Sequence, residues 1–269
     1  MIQLLTLTAL LTLGACAAEP EPVDTPEAVE QTPETGSEAE PEFSARDSNL
    51  FANPSFEDGT ESPWFNYAER TPNWAPFSVV EGGYNSDRAS LLDLDSDDPD
   101  QPAQRIIHGV IQETPAPEFP RYISGAYKVD EWERGTTNQY LQLVVIVWNA
   151  KTLPKGFRLP NYQIAIPLAG ITQPPFRMLN RRFVMGCPEE PAVGEWVEFE
   201  YDIQLQFERE WGLTPSDYEY LRVFFEVRYD GRADDEPRAL AHVRFDDLYL
   251  GPESRTDEPT TDEPKNTNP

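Results

Sequence analysis

Histidine and cysteine are nearly absent, with two of each in 269 residues. His108 and His242 each sit inside a strand-like run with no partner motif nearby. That argues against a zinc site or a Ser-His-Asp hydrolase, both of which need converging ligands or partners. Bases are scarce too: 21 Lys and Arg stand against 48 Asp and Glu, a net charge of -27. A surface this acidic repels phosphate backbones, so nucleic acid is not an expected partner. Divalent cations and neutral or cationic ligands suit it better, and acidity also serves plain solubility. No transmembrane run of about 20 apolar residues is evident, the uncharged stretch Met1 to Cys16 being too short.

The charge is unevenly spread. Residues 17–48 hold ten acids and one base, and residues 252–269 hold five acids and two bases, which leaves -15 on the centre. The leader repeats Glu, Pro, Thr and Ala with almost no large apolar side chain, so it cannot offset the entropy of ordering. Like charges and prolines extend it into a spacer. The tail repeats the theme in Thr256-Asp257-Glu258-Pro259 and Thr261-Asp262-Glu263-Pro264. The expected organisation is therefore an uncharged apolar segment of 1–16, the acidic leader of 17–48 as a disordered linker, a folded domain of 49–251 and a disordered tail of 252–269.

Met1 to Cys16 is rich in Leu, Thr and Ala and ends in Leu13-Gly14-Ala15-Cys16. The run matches the apolar core of a secretory signal, and its end resembles a bacterial lipobox. That resemblance implies cleavage before Cys16, with lipid on its thiol, and a chain tethered in the bacterial cell envelope. Ala17 after the cysteine, by the same resemblance, implies the outer membrane or cell surface. Three acyl chains anchor stably, at about 0.8 kcal/mol per buried CH₂. With Cys16 modified, Cys187 stands alone and no disulfide framework remains; a lone Cys is most often a small core hydrophobe.

Between Asn49 and Gly251 the periodicity is that of strands. Val197 to Phe207 alternates apolar and polar residues, and Tyr220 to Tyr229 puts Leu221, Val223, Phe225, Val227 and Tyr229 on one face. Period-two alternation predicts antiparallel sheet with one buried face. Further strands are expected at Phe77–Glu81, Ser90–Asp95, Gln104–Gln112, Arg121–Asp130, Tyr140–Trp148 and Ala241–Leu250, separated by Pro, Gly and Asp. Only Pro215 to Tyr220 hints at a helical turn. The expected class is all-β, an antiparallel β-sandwich.

Four motifs carry a resemblance across the domain. Asn49-Leu50-Phe51-Ala52-Asn53-Pro54-Ser55-Phe56-Glu57-Asp58-Gly59, followed by Trp64, resembles the opening strand of jelly-roll carbohydrate-binding modules of the galactose-binding-like fold. Ile123-Ser124-Gly125-Ala126-Tyr127 and Trp196-Val197-Glu198-Phe199 resemble that family's Ser-Gly and Trp-led strands, and Phe245-Asp246-Asp247-Leu248-Tyr249-Leu250 its closing one. The resemblance implies a structural Ca²⁺ held by Glu57 and Asp246 with backbone carbonyls, as a hard cation requires oxygen donors; otherwise both carboxylates cap backbone amides. The proline-rich stretch from Ala150 to Glu195 departs from the family's compact loops. Asp93, Asp95, Asp97, Asp98 and Asp100 lack the Gly and terminal Glu of an EF-hand loop, and a solvated acidic loop is the expectation.

The parity opposite the core suggests a ligand face. It exposes Arg222, Phe224, Glu226 and Arg228 on one strand, Tyr140, Gln142, Val144, Ile146 and Trp148 on another, and Ser124 and Lys128 on a third. If these strands share a sheet, Lys128, Gln142, Trp148, Arg222, Glu226 and Arg228 form a glycan-binding surface, with rings for stacking and polar groups for hydroxyls. Otherwise Val144, Ile146 and Phe224 pack beneath the proline-rich stretch. Nothing points to catalysis at comparable strength. The expected function is a non-catalytic, membrane-anchored module for polysaccharide or other glycan; the alternative is a scaffold for an envelope protein partner.

Overall fold

The computed structural model describes residues 48–67, 74–101, 105–186 and 189–255. Cys16, nearly all of the acidic leader, Cys187 and the end of the tail lie outside those residues.

Among the described residues the chain is nearly all β. Its strands are β1 (Trp74–Ala75), β2 (Ser78–Glu81), β3 (Arg88–Asp95), β4 (Arg105–Thr114), β5 (Tyr122–Glu133), β6 (Gln139–Trp148), β7 (Tyr162–Ala169), β8 (Arg181–Phe183), β9 (Trp196–Asp202), β10 (Tyr220–Asp230) and β11 (Leu240–Gly251). Helix α1 (Ile203–Trp211) follows β9. Two sheets form a sandwich, one ordered β1-β4-β10-β6-β7-β8 and the other β2-β3-β11-β5-β9. Pairing is antiparallel except where the short edges β1 and β8 join β4 and β7 in parallel.

Alternation explains the core. Leu221, Val223, Phe225, Val227 and Tyr229 of β10 and Leu141, Leu143, Val145 and Val147 of β6 share one buried cluster with Leu92, Ile123, Val129, Val243 and Phe245 of the facing sheet. Each fully buried side chain of this kind contributes about 1.5–3 kcal/mol.

Three expectations are corrected. The opening motif is not a strand: Asn53 and Phe56 have φ of 48° and 59°, and Pro54 has no N–H to donate. Instead the segment drives Phe51, Phe56 and Trp64 into the core, and Trp64 Nε1 donates to the Asn53 carbonyl at 2.8 Å. The strand expected from Val197 to Phe207 stops at Asp202, which caps α1 by accepting the Leu205 N–H at 2.9 Å. Ile203, Phe207 and Trp211 are the buried stripe of that helix, four residues apart. Pro215 to Tyr220 makes no helical turn; β10 begins at Tyr220.

The proline-rich stretch also contributes β7, an inner strand of the six-stranded sheet. It is buried on both faces, and Pro167 sits beside a register shift between Leu141 and Gln142 of β6. A bulge is where a sheet tolerates proline.

Candidate functional site

The outer face of the six-stranded sheet has two halves. Toward the Trp148 end, Ile111, Val144, Ile146, Ala165 and Phe224 form a second apolar cluster. Its cover is mainly Phe65, Tyr67 and Trp74, not the proline-rich stretch, which adds only Phe183. Phe65 is fixed by exchanging both backbone hydrogen bonds with Ile111, at 3.0 and 2.9 Å.

At the margin of this cover lies an aromatic step. Register places Tyr220 of β10 opposite Trp148 of β6. Their rings stack at 5.8 Å with an interplanar angle of 15°. The Arg222 guanidinium lies 4.2 Å from the Trp148 ring centroid and 5.7 Å from those of Tyr67 and Tyr220. Arg222 Nε donates to Glu113 Oε1 at 2.8 Å, and Nη2 reaches the same carboxylate and the Tyr220 hydroxyl. Burial raises the Tyr220 pKa, so the phenol stays neutral. Beside this group a hollow of about 490 Å³ is lined by Glu61, Phe65, Asn66, Tyr67, Glu113 and Arg222. Trp148 and Arg222 are half-buried.

The other half of the face is a buried polar network. Gln142 Nε2 donates to Glu226 Oε2 at 2.5 Å, and Arg228 forks onto Asp230 at 3.0 and 2.8 Å. The Tyr140 hydroxyl donates to Asp230 at 2.8 Å, and burial pushes that phenol well above its ordinary range. The Phe176 ring, from the proline-rich stretch, lies 5.6 Å from the Arg228 guanidinium. Gln142, Glu226 and Arg228 are thus buried, and they bond to one another and to neighbouring strands rather than facing solvent. Lys128 is on β5, in the other sheet, where Nζ pairs with Asp130 at 3.1 Å. Of the six residues expected to share a ligand face, the structure brings five onto one sheet face and leaves two of them, Trp148 and Arg222, partly open.

Tyr220, Tyr67 and Glu113 complete the aromatic step. Tyr220 shares the parity of Arg222, a signal present in the sequence. Nothing in the sequence ties Tyr67 or Glu113 to it, because that link is made by the pairing of β4 with β10 and by the Phe65–Ile111 bridge.

Glu57 and Asp246 both act on the turn between β2 and β3. Glu57 Oε1 accepts the Arg88 N–H at 2.8 Å. Asp246 accepts from the Tyr84 N–H at 2.5 Å, the Ser86 hydroxyl at 2.6 Å and the Asp247 N–H at 2.6 Å. Asp246 is fully buried, and burial lifts its pKa to about 6 against the pull of those hydrogen bonds. Gly83 is required here, since a Cβ would come within 2.3 Å of the Arg88 carbonyl. The Glu57 and Asp246 carboxylates are themselves the oxygen ligands a hard cation takes, but what surrounds them is three backbone N–H groups and one hydroxyl, the arrangement of carboxylates that cap backbone amides. No group of three or more His, Cys, Asp or Glu able to hold a metal occurs among the described residues, so carbonyls would supply the remaining ligands. The second acidic segment forms local turns, Asp95 and Asp98 accepting the N–H groups of Asp97 and Asp100, with Asp95 paired to Arg238.

No protein-family model matches the chain, and no curated protein matches it. Among solved structures, the chain is similar to TmCBM61, determined in complex with β-1,4-galactotriose, at 14% identity and a TM-score of 0.40, covering 76% of this chain and 99% of that one. It is similar to CBM28, a carbohydrate-binding module specific for non-crystalline cellulose, at 11% identity and a TM-score of 0.38, covering 74% and 93%. It is also similar to the enzymatically active domain of tailspike protein 4 of bacteriophage CBA120, at 11% identity and a TM-score of 0.38, covering 76% and 21%.

Proposed function

We propose that the domain is a non-catalytic carbohydrate-binding sandwich, carried in the bacterial cell envelope by a lipid on Cys16. The observation that supports the binding reading is the half-exposed stack of Trp148 on Tyr220, edged by Arg222 and Glu113 beside an open hollow. A sugar presents an apolar ring face and a rim of hydroxyls. An aromatic step takes the first, and a charged pair that both donates and accepts takes the second. The buried carboxylates of the face, Glu226 and Asp230, are committed to Gln142, Arg228 and Tyr140. Glycoside hydrolysis needs two carboxylates flanking a bound bond; of the two that line the hollow, Glu61 and Glu113, the second is tied to Arg222.

A structural Ca²⁺ at Glu57 and Asp246 belongs to the same proposal. Its support is a buried carboxylate, Asp246, whose hydrogen-bond partners include no cationic side chain.

The binding reading is tested on a glycan array that includes cello- and xylo-oligosaccharides, followed by titration of any hit. Trp148→Ala removes the platform, and its affinity is expected to fall at least tenfold while the fold persists. Arg222→Ala is expected to weaken binding without opening a large cavity. A folded Trp148→Ala protein that binds the same glycan at full affinity would end the assignment.

A further inference from the structure

In a chain with 48 acidic residues, the 38 positions from Lys151 to Pro188 contain none. They hold six bases: Lys151, Lys155, Arg158, Arg177, Arg181 and Arg182. The same stretch supplies three of the five large apolar side chains exposed among the described residues, Leu159 at 45%, Met178 at 41% and Leu179 at 81%. Each sits beside a base or one residue away from one: Arg158-Leu159, and Arg177-Met178-Leu179.

The fold gathers these residues on one side of β7. Residues 150–161 lead into that strand, and residues 170–180 leave it and return to begin β8 beside it. Asn180 Nδ2 donates to the Asn161 carbonyl at 3.3 Å, and Gln163 N–H to the Asn180 carbonyl at 2.9 Å, which joins the two loops. The first loop and β8 also meet on α1, where Phe157 packs at 5.0 Å and the Arg182 guanidinium at 4.3 Å from the Trp211 ring. A shallow hollow of about 450 Å³ opens between Phe176, Met178, Leu179, Arg181, Phe183 and Glu210. Its lining is mostly apolar, and Glu210 of α1 is the one carboxylate in it.

We propose that this edge is a docking surface for an anionic lipid bilayer. Exposed Leu and Met flanked by arginines suit the headgroup boundary: the apolar tips enter the acyl edge and the guanidinium groups meet phosphates. The domain's overall negative charge does not oppose this strongly, because at physiological salt charges beyond about 8 Å are screened. Local charge at the contact then decides: Lys151 is paired with Asp217 and Arg181 turns onto Gln163, which leaves Lys155, Arg158, Arg177 and Arg182 against Glu210. A neutral sugar gives no reason for four such bases against one carboxylate. An acidic polysaccharide would match the arginines but leaves Leu159, Met178 and Leu179 exposed. The hollow here shares no lining residue with the one beside Trp148, and the variants that test the two proposals are different.

The test uses the full chain with Cys16→Ser, so that no acyl group contributes, and vesicles of phosphatidylcholine alone or with phosphatidylglycerol. Flotation is expected to show binding that requires phosphatidylglycerol and weakens with salt. Arg177→Glu reverses one charge at the contact and should weaken partitioning about thirtyfold, from roughly 1 kcal/mol per basic residue gained or lost. Leu179→Asp should weaken it further, while both proteins keep the parent's melting curve, since both side chains are exposed. Lys128→Glu, on the other sheet, makes the same charge change away from the surface and should bind as the parent does. Equal binding to both vesicle types, or binding indifferent to Arg177→Glu and Leu179→Asp, overturns the proposal. Retention on polygalacturonate with no vesicle binding overturns it in favour of an acidic glycan.

Discussion

Asp246 and His108 are buried ionisable groups, and burial moves them in opposite directions. The Asp246 pKa rises from 3.8 to about 6, so the folded state holds its proton where the unfolded state has released it. Stability from this group is present at low pH and is lost as pH rises through about 6. The His108 pKa falls from 6.5 to about 4 because burial disfavours the imidazolium. Here the unfolded state holds the extra proton, so stability is lost as pH falls from about 6.5 to about 4. Each effect is on the order of 3 kcal/mol, and they offset each other over that window. Asp246→Asn should therefore leave a protein that weakens on acidification, and His108→Leu one that weakens as pH rises. Urea unfolding in chelator from about pH 4 to about pH 7 reads both; two unchanged profiles would refute the shifts. Calcium enters the same experiment. At a hundredfold excess over its Kd it should add about 2.7 kcal/mol to the wild type at neutral pH and nothing to Asp246→Asn. A wild type indifferent to calcium removes the ion from the proposal. Which face Trp148 and Arg222 occupy was legible from parity alone. That Gln142, Glu226 and Arg228 are buried was not, since it depends on cross-strand register and on Phe176 arriving from a loop more than thirty residues away in sequence.

Helix α1 shows how one run can support two periods. Ile203, Leu205 and Phe207 continue the alternation of β9, while Ile203, Phe207 and Trp211 make a helical stripe. The end residues decide between them. Asp202 accepts the Leu205 N–H, and Gly212, at φ 76°, closes the helix with its N–H on the Glu208 carbonyl. Leu205, apolar but exposed, is the residue that misled the strand reading. Asp202→Ala removes the cap and should cost about 1 kcal/mol. Its exposed pairing with Arg121 adds little to that. Asp202→Asn keeps a capping oxygen without the charge and should recover most of the loss; equal destabilisation by Ala and Asn would show that the cap is not what Asp202 supplies. The β-strands were more legible because their alternation has no helical competitor. Strand β7 was hidden for another reason: both faces are buried, so large side chains alternate with small ones rather than apolar with polar, and Pro167 suggests a loop.

At the scale of the whole molecule, the charge pattern and the proposed lipid anchor would work together. The leader of residues 17–48 carries -9, against +6 on the stretch from Lys151 to Pro188. If residues 17–48 form the spacer expected from their composition, a coil of that length spans about 30 Å, and a domain held by the proposed lipid on Cys16 would stay within reach of its bilayer. A weak docking surface then gains from tethering, because the second contact becomes intramolecular. The two attachments differ in chemistry and are separable. Acyl chains hold by hydrophobic burial, which salt does not weaken, whereas arginines on phosphates are screened by it. Wild-type protein should therefore stay in the membrane fraction through a high-salt wash and leave only in detergent. Cys16→Ser should lose metabolic palmitate labelling and come off in the salt wash. Its domain should melt as the wild type does, since the core of residues 48–255 is built without Cys16. Labelling that survives Cys16→Ser would refute the lipid anchor, whatever the fractionation shows. Loss of labelling with no salt-sensitive membrane contact left would keep the anchor and count against the arginine surface.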